Sequence, residues 1–176
     1  MPAPVRIALI ALLSASVSLF SAETPDRRIV DTVIAGDAES EFAHGYAGHD
    51  DSAGIRNDTT FRLARGWMRY AMTTFDDTEV TIACVFTGSR DSTRHFDLIV
   101  EDSVVARATL APTDSATRTL ELRVPFDVTK GRTSIAVVLR GREGPTPALR
   151  KLSIVQDHHE LATAVHHSHQ PFGVVR

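Results

Sequence analysis

The chain predicts an all-β fold, an antiparallel β-sandwich of jelly-roll kind. Three observations carry that prediction. Some eight runs of strand character recur along the chain, each bounded by turn residues. Alternation with a period of two is clear in "TLELRV", where Leu120, Leu122 and Val124 face one way and Glu121 and Arg123 the other. No convincing helical periodicity appears before residue 157.

The first 22 residues read as a secretory signal. Arg6 is their only charge, and an apolar run from Ile7 to Phe20 is broken only by serines. That run is too short and too serine-rich for a membrane span. Cleavage is expected after Ala22, with Ser16-Val17-Ser18 as the competing site, and an uncleaved anchor as the alternative. The expected destination is the periplasm or the exterior, with no membrane span left after cleavage.

A polar stretch from Glu23 to Arg28 leads into the first strand, "IVDTVI" (29–34). Residues 35–60 are rich in glycine, aspartate and histidine and are expected to be irregular. "TFRLA" and "GWMRYAM" follow, with Trp67 and Arg69 on one face and Met68, Tyr70 and Met72 on the other. The methionines mark Tyr70's face as the core; Trp67 beside Arg69 is expected to be partly exposed. Further strands are "EVTIACVFT" (79–87), "RHFDLIVE" (94–101), "SVVARATL" (103–110), "RTLELRVP" (118–125), "TSIAVVLR" (133–140) and "LRKLSIVQ" (149–156). Asp76-Asp77, Gly88-Ser89, Glu101-Asp102 and Lys130-Gly131 supply turns between them.

The predicted organisation is a signal over 1–22, one sandwich domain over 23–157 and a histidine-rich tail over 158–176. Asp157 and Glu160 have the spacing to cap a short helix. His166 and His169 would share a face if that tail were helical, but a disordered tail is the plainer expectation.

The chain has 176 residues, enough for one domain with its own core. The signal holds one of 19 basic residues and none of 22 acids, so the remainder carries 18 minus 22, or −4. No basic stripe runs along the sequence, and nucleic acid is not an expected partner. Cys84 is the sole cysteine, so no internal disulfide is possible; it alternates with Ile82 and Phe86 as a small core residue. No nucleophile motif, cofactor loop or complete metal signature appears, and neither catalytic residues nor a cofactor is expected.

A sugar site needs an apolar surface for the ring and charged groups that reach pairs of hydroxyls. Trp67 can supply the surface and Arg62, Arg69 and Arg94 the donors; Asp37, Glu41 and Asp97 can accept, and His44 can do either. Trp67 as a simple packing residue remains the competing reading. In "GDAESEFAH", an extended backbone would put Asp37, Glu39 and Glu41 on one side. Such a cluster would suit hydroxyls or, less well, calcium, since the spacing of a helix-loop-helix calcium site is missing.

The order of "VDTVIAGDAESEFAH", "RLARGWMRYAM", "RHFDLIVEDSVVARATL" and "VPFDVTKGRTSIAVVLRG" resembles the β-sandwich accessory domain of β-L-arabinofuranosidases, glycoside hydrolase families 127 and 146. The resemblance spans about 29–156. Its most specific parts are Glu41-x-x-His44, Gly66-Trp67-x-x-Tyr70 and Arg94-x-Phe96-Asp97. It implies a jelly-roll, galactose-binding-like sandwich in a carbohydrate setting. The catalytic barrel of those enzymes is absent, and a lone cysteine cannot reproduce their cysteine-rich zinc centre. The segment "GREGPTPALRK" also departs from the family's glycine-rich run.

The expected function is therefore an exported, non-catalytic carbohydrate-associated domain. Its partner would be carbohydrate, with an arabinose-containing glycan as the specific candidate, or a glycosidase. Glu41, His44, Arg62, Trp67 and Arg94 are the expected sugar contacts, gathered at one edge of the sandwich. The alternative is a structural or protein-interaction sandwich of the cell envelope with no sugar site.

Overall fold

The computed structural model describes residues 26–158 except Asp77 and Ser115. Residues 1–25 and 159–176, which hold the expected signal and all of the expected tail but His158, lie outside the described residues. Strands β1 (Asp26–Ile34), β2 (Ala47–Arg56), β3 (Thr59–Thr73), β4 (Val80–Thr87), β5 (Arg94–Val100), β6 (Ser103–Leu110), β7 (Thr117–Val124), β8 (Ser134–Gly141) and β9 (Leu149–His158) pair antiparallel throughout. Two short helices interrupt them, α1 (Ala38–Ala43) and α2 (Phe126–Thr129).

The pairings divide into a five-stranded layer, β6-β5-β8-β3-β2, and a four-stranded layer, β1-β9-β4-β7. Among the described residues, the Arg62↔Leu149 bridge between β3 and β9 is the one strand pairing that joins them. Their inner faces close on Met68, Tyr70 and Met72 from β3, Ile82, Cys84 and Phe86 from β4, and Phe96, Leu98, Ile135, Leu139, Leu152 and Ile154. Phe86 and Phe96 meet edge-on across the layers, with centroids 5.4 Å apart and planes at 64°. Burial pushes the Cys84 thiol up to about 12, so it packs as an inert apolar group.

Two hairpins turn on two residues each. Asn57-Asp58 joins β2 to β3 and Glu101-Asp102 joins β5 to β6; all four residues have positive φ, as a type I′ turn requires.

Residues 35–60 are not irregular. Asp37 accepts the Ser40 N–H at 2.8 Å and starts α1, with Glu39 and Glu41 in its first turn against the positive end of the dipole. The helix turns Glu39 away from Glu41, and Glu41 is buried while Asp37 and Glu39 are exposed, so the carboxylate cluster of an extended segment does not form. The rest of the stretch is β2, paired along β3 with a bulge near Asp50, whose φ is 50°. Asp157 lies in β9, opposite Arg27 of β1, and the helix that it and Glu160 were expected to cap falls outside the described residues.

Candidate functional site

Glu41 and Arg62 are brought together, but inside the protein. Arg62 donates from Nε to Glu41 Oε1 at 2.7 Å and from Nη2 to Oε2 at 2.5 Å, a two-pronged pair with side chains only 15% and 5% exposed. Its third prong, Nη1, reaches Asp51 Oδ1 at 2.5 Å. Glu41 Oε1 also accepts the Gly36 N–H at 2.8 Å and the Tyr70 hydroxyl at 3.1 Å. The guanidinium lies 4.2 Å from the Tyr46 ring centroid, and Tyr46 in turn sits 5.3 Å from Tyr70.

The electrostatics lock this arrangement. Hydrogen bonding to Glu41 outweighs burial and raises Arg62 beyond its already high range. Burial, then the Glu41 charge, raises Tyr70, so its hydroxyl keeps the proton that it donates. Burial and the neighbouring Asp51 raise Tyr46, yet the Tyr46 hydroxyl makes no hydrogen bond with good geometry.

His44 belongs to a second network. Its Nδ1 faces the Ser40 carbonyl at 2.6 Å and its Nε2 faces Asp31 Oδ1 at 3.1 Å. Both neighbours are acceptors, so both bonds form only when both ring nitrogens carry protons. Asp31 also accepts the N–H of Thr32 at 2.8 Å and of Thr73 at 2.7 Å. These contacts tie α1 to β1 and β3. The hydrogen-bonding capacity of Glu41, His44 and Arg62 is thus largely used within the protein.

The expected gathering at one edge is incomplete. Arg94 and Trp67 are both separate from the Glu41–Arg62 pair. Trp67 lies on the outer face of the five-stranded layer, half-buried, opposite His49 on β2 and Arg140 on β8. Arg140 Nη2 donates to Asp97 Oδ2 at 2.9 Å; Asp97 is only 6% exposed, and its Oδ1 has no hydrogen bond, with Arg142 Nε at 3.8 Å.

Arg94 instead rims a cleft at the loop end of the sandwich. The β2–β3 hairpin and the loops after β4, β6 and β8 meet there. Its inner part, about 110 Å³, has apolar walls from Phe61, Leu63, Leu110 and Pro147, with Arg56, Arg94 and Arg118 around them. It widens outward to about 520 Å³ past Asn57, Arg90, Asp91 and Asp114. The Arg56 guanidinium stands 5.9 Å from the Phe61 ring centroid, and Arg118 donates to the Ala111 carbonyl at 3.1 Å. Among the described residues no cluster of three histidine, cysteine or acidic side chains could hold a metal ion.

The buried network and the cleft adjoin at Phe61. Gly36, whose N–H Glu41 holds, has a φ of +79°, and a Cβ there would come within 2.5 Å of the Phe61 carbonyl oxygen. Gly54 leaves room for the Phe61 ring itself, 2.6 Å from where its Cβ would stand. Both glycines thus let the backbone pass close to Phe61 of the cleft wall. Arg56, Phe61 and Arg118 were not expected as site residues, since they gather only where the β2–β3 hairpin meets β7, far along the chain. Asp37 three residues before Ser40 was the one local sign that Glu41 sits on a helix.

The fold matches solved carbohydrate-binding structures. A family 35 carbohydrate binding module from Clostridium thermocellum superposes with a TM-score of 0.56 at 10% identity, over 71% of this chain and 98% of that one. A family 35 module from an environmental isolate gives 0.54 at 13%, over 72% and 96%. An exo-beta-1,3-galactanase from Phanerochaete chrysosporium gives 0.54 at 8%, over 70% of this chain but only 28% of the enzyme. At such identities the likeness is one of fold. No curated protein matches the sequence. The model described as "Family of unknown function (DUF6805)" matches residues 25–148, most of the chain, and the protein belongs to that family.

Proposed function

We propose that the domain is a non-catalytic carbohydrate-binding module whose sugar site is the loop-end cleft. One observation carries this: an apolar pocket walled by Phe61, Leu63 and Leu110 is ringed by three arginines from three separate strands, β2, β5 and β7. The apolar walls suit the C–H face of a ring, and the guanidinium forks suit pairs of hydroxyls. The sandwich fold shared with carbohydrate binding modules supports the reading. An arabinose-containing glycan, and a β-L-arabinofuranosidase as partner, rest on the motif resemblance over 29–156.

A glycan array followed by calorimetry tests the site. Affinity is expected near millimolar, about −4 kcal/mol, because a shallow site loses much contact energy to ordering and desolvation. Arg94→Met should abolish binding at unchanged melting temperature, since Arg94 has no carboxylate partner among the described residues. Retained binding would remove the cleft as the site. A second reading, a protein-interaction module, is favoured by Phe42, 89% exposed on α1, and Ile55, 74% exposed on β2. Failure of every glycan to bind would establish that reading instead.

Export belongs to the same proposal. Mass spectrometry of the protein from its host should find a chain starting between Leu19 and Glu23. An intact signal segment on cytoplasmic protein would refute export.

A further inference from the structure

We propose that the outer face of the five-stranded layer is a second binding surface, one that takes a carboxylate-bearing saccharide chain lying across the strands. It goes beyond the cleft reading, because it uses different residues on a different surface. His49, Trp67, Arg140, Asp97 and Arg107 stand in register on β2, β3, β8, β5 and β6. Strands lie about 4.8 Å apart, so the row from Trp67 to Arg107 is about 14 Å long, a span that suits an extended chain better than one ring. The next row, Met68, Leu139 and Leu98, is core, so the Trp67 row points outward.

The charge on this face is one-sided. Arg107 and Arg140 lie in the row, and Arg69 and Arg142 flank it on opposite sides, because β3 and β8 run antiparallel. Four guanidiniums and one carboxylate, Asp97, stand at these positions, on a chain that is net negative. Asp97 is buried and engaged by Arg140, so it anchors that side chain rather than repelling a ligand. Arg69 and Arg107 have no carboxylate partner among the described residues. Trp67, half-buried between His49 and Arg140, offers an apolar face to a sugar ring. Ligand carboxylates would meet the arginines in charge-assisted hydrogen bonds. Nucleic acid fits less well, because a lone tryptophan provides no run of aromatics on which successive bases could stack.

Trp67 is the chain's only tryptophan, so its fluorescence reports on this face directly. The mature protein would be titrated with an oligogalacturonide, with a neutral xylo-oligosaccharide of equal length, and with single-stranded DNA. The expected result is a saturable change with the uronide alone, weakening as salt rises. Arg69→Gln and Arg107→Gln should each weaken it about tenfold at unchanged melting temperature. Arg94→Met, at the cleft rim, should leave the Trp67 response in place even where it abolishes cleft binding. The proposal is overturned by a silent tryptophan, by a response that Arg94→Met removes and Arg107→Gln does not, or by a stronger response to DNA than to the uronide.

Discussion

Arg62 shows how one side chain can look like a ligand contact and serve as a fastener. It is the β3 residue that bridges to β9, and all three of its prongs go to Glu41 and Asp51. Arg62→Met would leave two carboxylates facing each other without a cation. Breaking such a pair in a buried setting costs about 3–5 kcal/mol. Glu41→Gln should cost less, because an amide oxygen still accepts from Gly36 and Tyr70. Urea denaturation of the two variants is the check: Arg62→Met should be clearly the less stable, and equal stability would show that the network contributes little.

The β5–β6 hairpin places Glu101 and Asp102 at φ values of 46° and 66°. Left-handed backbone costs an ordinary residue roughly 1–2 kcal/mol, and glycine almost nothing. Glu101 offsets its cost: its Oε1 accepts the Ala136 N–H at 2.7 Å and its Oε2 lies 3.3 Å from Arg132. Asp102 is exposed and has no such contact among the described residues. Asp102→Gly should therefore raise the melting temperature by about 3 °C, whereas Glu101→Gly should lower it. A scanning-calorimetry gain for Glu101→Gly would contradict this account of the turn.

At the scale of the whole molecule, Asp31 links β1, β3 and α1, and so couples the assembly of both layers to pH. Burial alone would raise its carboxyl, but the N–H groups of Thr73 and Thr32 together with His44 outweigh burial and hold it below its ordinary value of 3.8. A lowered folded value means that the group stabilises the fold above its unfolded pKa. That contribution fades as the pH falls from the ordinary value through the lowered one. Asp31→Asn should be less stable at neutral pH and lose less melting temperature between about pH 5 and 3 than the parent. A parallel decline in both proteins would show that Asp31 does not carry the acid sensitivity assigned to it.

The sandwich class, the core face and every described strand except β2 were legible in the sequence. Period-two alternation is local, and Met68, Tyr70 and Met72 fall inward as their spacing requires. It also determined the Glu101-Asp102 turn, because turn chemistry is written in neighbouring residues. It did not disclose α1 and β2, where Asp37 capping and pairing with β3 override a composition typical of loops. Nor did it separate Arg62 from Arg94, two arginines of the same type in strand-like runs. The folded chain closes one on Glu41 inside the protein and leaves the other at a cleft. The physical reason is that a strand's own sequence specifies which side a residue faces, whereas the groups it meets come from strands and loops far along the chain.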